Sequence, residues 1–119
     1  MESILNSIKQ LLGVGEEETH FDTDIIIYIN SAFSTLNQLG VGPEETFNIV
    51  DDKAIWDDFI EEDDYNEMKT YVYLKVKLVF DPPTSSFVLA AMERQKDELE
   101  WRLNVRASNK ITKENDEDE

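Results

Sequence analysis

Few side chains in this sequence could do chemistry, and their spacing is poor for catalysis. His20 is the only histidine, and no second ligand or triad partner stands at a recognisable distance from it along the chain. The absence of cysteine removes thiolate nucleophiles, and Gly13-Val14-Gly15 is followed by glutamates in place of the Gly-Lys-Ser/Thr of a phosphate loop. We therefore interpret His20 as a surface residue and the glycines as a helix stop.

Carboxylates are abundant, and they cluster between residues 57 and 64. Asp57, Asp58 and Glu61 could form an acid–base pair, and Glu61-Glu62-Asp63-Asp64 could attract a divalent cation. Adjacent side chains on a helix diverge, however, and the calcium-loop pattern of alternating ligands around a central glycine is absent. We interpret the run as a solvated surface. The sequence predicts no enzyme, no metal site and no cofactor.

The net charge of the chain restricts its partners. Twenty-seven acidic and eleven basic residues give a charge of −16, and segment 44–67, with eleven carboxylates and one lysine, holds −10 of it. This charge disfavours nucleic-acid binding and docking on an anionic membrane. No apolar run approaches the ~20 residues that span a bilayer, and the N-terminus lacks a signal-peptide pattern. These features predict a soluble intracellular protein.

Apolar residues recur at helical spacing in four long stretches, which predicts an all-α fold. The stretches span residues 2–12, 22–39, 65–80 and about 86–105. A short helix at 53–60 and one short extended piece near 46–50 are expected between the second and third stretches. We predict a single small bundle of four to five helices in residues 1–106 and a disordered acidic tail in 107–119.

Asp81-Pro82-Pro83 separates the third and fourth predicted helices. Neither proline can donate a backbone hydrogen bond, and the residue before a proline is pushed out of helical geometry. Residues 84–86, Thr-Ser-Ser, can then supply the N-cap of a new helix. We interpret Asp81, Pro82 and Pro83 as a structural elbow that sets the direction in which the last helix leaves the subunit.

Two groups of side chains are candidates for contacts with partners. Trp56 and Phe59 lie within the acidic segment, where they either pin a short helix to the bundle or anchor an interface. Trp101 on the last helix raises the same choice. The charged candidates beside it are Arg94, Glu98 and Arg102. Because these charges alternate in sign, this helix could pair with a neighbouring copy of the chain.

Two blocks of the sequence carry a resemblance to a known family. They are DTDIIIYINSAFSTLNQLGVGP at 22–43 and KTYVYLKVKLVFDPPTSSFVLAAMERQKDELEWRLN at 69–104. The most specific strings are INSAF, LNQLGVGP, LKVKLVFDPPTSSFVL and ELEWRLN. They resemble the small head–tail connector, or adaptor, proteins of long-tailed phages and prophages. The resemblance covers about residues 3–106 and is weakest in 44–67.

The resemblance implies a structural function. A protein of this family is expected to be mostly helical, to form a ring beneath the capsid portal, and to join the portal protein to the next neck protein. Self-association could require the portal as a template, because subunits with a charge of −16 repel one another. The resemblance also implies a place in the virion neck, after assembly in the bacterial cytoplasm. DNA would pass without specific binding.

Two other functions remain as alternatives. An acidic DNA mimic could inhibit a DNA-binding enzyme by presenting carboxylates in place of phosphates. Its carboxylates would be expected in regular rows, whereas those of this chain concentrate in 44–67. A small enzyme could use His20 or the carboxylates of 57–64, but the sequence has no second histidine, nucleophile elbow or cofactor loop to support it.

Overall fold

The computed structural model describes residues 2–43, 45–59 and 65–117, with side chains up to Asn109. Within these residues the elements are α1 (Ile4–Leu12), α2 (Asp22–Gln38), a 3₁₀ turn (Trp56–Asp58), α3 (Tyr65–Phe80) and α4 (Ser86–Glu117). No β-ladder occurs in the described ranges, where Ser3 and Ile55 form an isolated antiparallel bridge. The predicted all-α bundle is confirmed.

The core is built around α3. This helix packs against α1, α2 and α4, and its longest contact is with α2. The buried residues of α2 are Ile25, Ile29, Ala32, Phe33 and Leu36, and those of α3 are Met68, Tyr71, Val72, Leu74 and Val76. Both sets repeat at helical spacing, so burial of apolar surface fixes how the two helices face each other.

One buried charge holds the link between α1 and α2. Lys9 is 1% exposed, and its Nζ donates to the carbonyl oxygens of Glu16 (3.1 Å) and Glu18 (2.6 Å). The same Nζ lies 2.8 Å from Asp22 Oδ1. Asp22, a good N-cap residue by type, is instead the first residue of α2, and Phe21 occupies the cap position. The carboxylate is used to neutralise Lys9, because an unpaired buried charge would cost several kcal/mol.

The connection between α2 and α3 is less regular than predicted. The helix expected at 53–60 is reduced to the three-residue 3₁₀ turn, in which the Asp58 carboxylate accepts from the Ile55 N–H (3.2 Å). Residues 46–50 form no strand. The Asn30 amide pairs with both backbone groups of Ile49 there, at 2.8 and 3.0 Å. The Asn30 side chain thus satisfies backbone groups that a neighbouring strand would otherwise pair with. Ile60 and residues 61–64 lie outside the described residues.

The last helix is longer than predicted. It continues to Glu117, whereas the sequence placed its end near Val105 and a disordered tail after Arg106. Arg106 forms an ion pair with Glu67 of α3 at 3.0 Å, and Ala107 packs against the core. These contacts lie at and beyond the expected end of the helix near Val105, and the disordered acidic tail at 107–119 stays a prediction.

Gly42 has a conformation and a neighbour that favour glycine. Its φ is +89°, in the left-handed region where a Cβ is disfavoured. A Cβ built on Gly42 would lie 2.5 Å from Cε2 of Phe59. Phe59 cannot easily yield, because its ring packs on Phe33 with centroids 4.4 Å apart. Gly15 lacks both constraints, since an added Cβ would meet nothing within 4 Å.

We predict that Gly42→Ala lowers the free energy of unfolding by about 2–4 kcal/mol, combining left-handed strain with overpacking against Phe59. Gly15→Ala is the matched control and should change it by less than about 0.5 kcal/mol. Urea unfolding followed by tryptophan fluorescence measures both. Coincident transitions for the two variants would contradict the proposed contact with Phe59.

Glu2 fastens the start of the chain to α3. Its carboxylate accepts a hydrogen bond from Lys69 Nζ at 2.7 Å and another from the Tyr65 hydroxyl. The hydrogen bond from Lys69, followed by that from Tyr65, lowers the pKa of Glu2 below its ordinary value of 4.5. Burial, with the hydrogen bond to Glu2, raises the pKa of Tyr65 to about 12. The charged form of Glu2 and the neutral form of Tyr65 are therefore the stabilising ones.

A lowered carboxyl pKa stabilises the fold at pH values above the ordinary pKa, and that contribution is lost as the pH falls through the lowered value. We predict that Glu2→Gln lowers the free energy of unfolding by less than about 1 kcal/mol at pH 7, because the contacts of Glu2 with Lys69 and Tyr65 are partly exposed. The difference from wild type should shrink in urea titrations towards pH 3. Glu17→Gln, at an exposed side chain, is the control at pH 7 and should change the free energy of unfolding by less than about 0.5 kcal/mol.

Candidate functional site

The described residues offer surfaces for packing and for pairing of charges. No group of three or more His, Cys, Asp or Glu side chains is placed there to hold a metal ion. His20 is exposed, and its ring meets Phe21 edge-on with centroids 6.0 Å apart. Gly13 ends α1 in a left-handed conformation, as predicted for a helix stop. Glu61, Glu62, Asp63 and Asp64 lie outside the described residues.

Trp56 and Phe59 are in the core of the subunit. Trp56 is 1% exposed, and its Nε1 donates to Ser7 Oγ at 2.8 Å. Phe59 is buried among the rings of Phe33 and Phe47. Of the two alternatives left open by the sequence, the one in which both residues pin the connection to the bundle agrees with this burial. Ser7, on the buried side of α1, is the partner that sequence reasoning missed.

The remaining candidates lie on the side of α4 turned away from the core. Leu99 and Leu103 are buried against α3, whereas Trp101 between them is 66% exposed. We define the outer face of α4 by six positions, of which Trp101 is one. The other five are Phe87, Ala91, Arg94, Glu98 and Val105. Arg102 borders it and pairs with Glu98 at 2.8 Å. The structure thus brings Arg94, Glu98, Trp101 and Arg102 together on one accessible side of the helix.

The start of α4 is free of the bundle. The apolar residues at helical spacing in the last helix include Phe87 and Val88, but both are exposed, Phe87 by 78%. Met92 is the first residue of the stripe that packs against the core. Among the described residues of the first two turns of α4, Phe87 and Val88 are thus exposed, whereas Leu89, Ala91 and Met92 are half-buried. Periodicity marks an apolar face and carries no information about what covers it.

Two polar contacts fix the rest of α4 onto α3. The hydroxyl of Tyr71, a fully buried residue, donates to Glu100 Oε1 at 2.6 Å, and Arg106 pairs with Glu67. Burial, and then the hydrogen bond to Glu100, raises the pKa of the Tyr71 hydroxyl far above its ordinary value. The tyrosine therefore remains a donor across the physiological range. These contacts determine the rotation of α4 about its axis and so which residues form the outer face.

We predict that Tyr71→Phe lowers the free energy of unfolding by about 1–3 kcal/mol, because the hydroxyl donates to a charged acceptor and its loss leaves Glu100 without this donor. The matched control is Tyr73→Phe, whose hydroxyl makes no hydrogen bond within the described ranges and whose loss should be nearly neutral. Thermal unfolding by circular dichroism compares them. Equal midpoints for the two variants would contradict a structural role for the contact.

The elbow lies where the prolines predicted it. α3 ends at Phe80 and α4 begins at Ser86. Asp81 makes the last helical bond, from its N–H to the Lys77 carbonyl, and its carboxylate pairs with Lys77 Nζ at 2.8 Å. Ser85 Oγ accepts from the Val88 N–H at 3.4 Å, which places the N-cap within the predicted Thr-Ser-Ser.

Exposed apolar side chains gather at the elbow end of the bundle. The ring of Phe21, before α2, meets Phe80 edge-on at 5.4 Å, so the start of α2 and the end of α3 are adjacent. We define the elbow surface as the exposed apolar residues at this end, namely Phe21, Val79, Phe87 and Val88. Exposed apolar residues mark interaction sites when they form one contiguous patch.

Comparisons with known proteins place the chain in a family. Among the described residues, no helix combines the length and the hydropathy needed to cross a membrane. No curated protein and no solved structure matches the sequence. The family model described as phage connector protein matches residues 4–110, which include α1, α2, α3 and most of α4. The chain belongs to the phage connector protein family.

Proposed function

We propose that the protein is a structural component of the virion neck. Its subunits form a ring that joins the capsid portal to the next head–tail component and lets DNA pass. The observation that carries this proposal is the family match over residues 4–110. Its partners are the phage portal protein, the next neck protein and further copies of itself. Assembly takes place in the host cytoplasm, and no reaction is expected.

The elbow surface supports a role in assembly. Its apolar side chains are exposed in the single subunit, although covering them would be favourable by roughly 25 cal/mol for each Å² removed from water. They lie on segments whose relative direction depends on Asp81, Pro82 and Pro83. In a ring, this end of the subunit would contact the portal or the neighbouring subunit. The elbow would then set the angle at which the contact forms.

The distribution of charge supports passage of DNA. Six basic side chains are in ion pairs within the described part of the chain, namely Lys9, Lys69, Lys77, Lys96, Arg102 and Arg106. Each pair uses a positive charge that a phosphate would otherwise attract. A ring lumen lined by the remaining carboxylates would release no counterions on contact with DNA and would not retain it. A ring structure with a basic channel wall would contradict this.

The direct test mixes the purified protein with portal rings and examines the complexes by electron microscopy. We expect an added ring of density on one face of the portal. Portals that remain bare at saturating protein would overturn the proposal. The DNA-mimic alternative predicts a different result, because the protein would then bind a basic DNA-processing enzyme and DNA would compete for it.

We predict that Pro82→Ala combined with Pro83→Ala reduces portal-bound rings at least about tenfold, because residues 81–85 could then become helical and redirect α4. Circular dichroism should show helix content equal to or above that of wild type, so the loss would reflect geometry. Pro43→Ala, at an exposed loop proline, is the control and should retain assembly. Unchanged ring assembly by the double variant would refute the role of the elbow.

A further inference from the structure

The outer face of α4 has the spacing of a coiled-coil seam. Its six positions, in order, are Phe87, Ala91, Arg94, Glu98, Trp101 and Val105. Successive members are separated by alternating steps of four and three residues, the a/d spacing of a heptad repeat. On an α-helix they fall within an arc of about 80°. Met92, Leu99 and Leu103 occupy the opposite side, where they pack on the core. The helix therefore has a second seam that its own bundle does not use.

This second seam is accessible in the subunit, because four of its six positions are exposed and the other two, Ala91 and Val105, are half-buried. Phe87 is 78% exposed and Trp101 is 66% exposed. Arg94 is exposed and makes no ion pair with any of the described residues. Among the described residues, the Glu98 carboxylate pairs with Arg102 of its own helix, an exposed pair of little energetic value. The two large apolar groups and the charges between them could all face a partner helix.

The seam is complementary to itself in the antiparallel direction. With a two-fold axis at the level of Lys96, Phe87 faces Val105, and Ala91 faces Trp101 of a second copy, so that a small residue meets a large one. In the central layers Arg94 faces Glu98, and symmetry makes this pair twice. These are the mixed a–d layers that antiparallel helices form. A parallel arrangement would place Arg94 on Arg94 and Glu98 on Glu98, and like charges would oppose it.

From this pattern we infer that the free chain forms a two-fold symmetric dimer in which the outer faces of two α4 helices pack antiparallel. The occupant of the seam is a second copy of the chain, selected by the Arg94–Glu98 pairs. Apolar contacts at both ends of the seam supply the burial. The central pairs set the direction and the register, as buried polar residues do in coiled coils.

The dimer is expected to be weak and to strengthen with salt. Residues 87 to 105 span about 27 Å of helix, and one helix pair of this length buries less than the ~1,600 Å² of a stable complex. Two subunits of charge −16 also repel each other at long range. Salt screens that repulsion over a Debye length of ~8 Å at 0.15 M and affects the close central pairs less. Association is therefore expected at about 0.1–1 mM protein.

The dimer would control assembly. A two-fold interface uses the same patch on both copies and closes on itself, whereas a ring needs two different patches. Phe87 belongs to both the outer face and the elbow surface, so the dimer covers part of the surface proposed to meet the portal. This consequence rests on the proposed ring function. The dimer itself does not depend on the proposed ring function, because it is a property of the purified chain alone.

Charge-swap variants test the pairing without the portal. Arg94→Glu and Glu98→Arg should each lower the association constant at least about tenfold in sedimentation equilibrium at 0.15 M salt. An equimolar mixture of the two should associate as heterodimers. In such a heterodimer the two substituted side chains face each other as one ion pair, and the unsubstituted Arg94 and Glu98 form the other. A chain carrying both substitutions should also dimerise. Circular dichroism on dilute samples verifies that each monomer is folded.

If net charge alone governed association, the variants would rank differently in their association constants. Glu98→Arg reduces the net charge of the subunit from −16 to −14, so weaker repulsion alone would make it associate better than wild type. Local pairing requires that it associate worse. Trp101→Ala should weaken the dimer, and Val50→Ser, at an apolar residue that is 83% exposed elsewhere, should leave it unchanged. A wild-type chain that stays monomeric at 1 mM, or a mixture that fails to associate, would overturn the dimer.

Discussion

The attachment of α4 to a single helix determines the character of the molecule. α3 packs against the other three helices described, whereas α4 packs mainly against α3, and Met92 is the first apolar residue of α4 that lies against the core cluster. Leu99 and Leu103 provide the apolar contact, and Tyr71 and Glu67 of α3 fix the rotation through Glu100 and Arg106. Phe87 and Val88 in the first turn of α4, and Trp101 on its outer face, therefore remain exposed.

Burial inside the subunit also separates structural residues from those that can meet partners. The two tryptophans both have acidic neighbours in the sequence, since Trp56 precedes Asp57 and Asp58 and Trp101 follows Glu100. Trp56 is enclosed because α1 supplies Ser7 as an acceptor for its indole N–H, whereas Trp101 faces away from α3. This difference arises from the three-dimensional arrangement of α1 and α4, and no local property of either tryptophan encodes it.

The predictable part of the fold is the part that depends on short-range rules. Apolar spacing, the left-handed Gly13 and the proline pair located the four long helices and the elbow. Long-range contacts defeated prediction elsewhere. The Asn30 side chain hydrogen-bonds to the backbone of Ile49, nineteen residues further along the chain. Asp22 pairs with Lys9 instead of capping α2. The end of α4 was set too early because Arg106 and Ala107 gain partners from α3 and the core that sequence periodicity cannot reveal.

The enclosure of Lys9 gives the protein a built-in reporter of its own opening. An amine that is 1% exposed and bonded to two carbonyls and a carboxylate cannot reach an acylating reagent or enter a protease while the link between α1 and α2 is closed. Acylation at this position would then proceed only through molecules in which α1 has separated from the bundle. The rate of labelling at Lys9, compared with that at an accessible lysine such as Lys53, would report the free energy of that separation under native conditions.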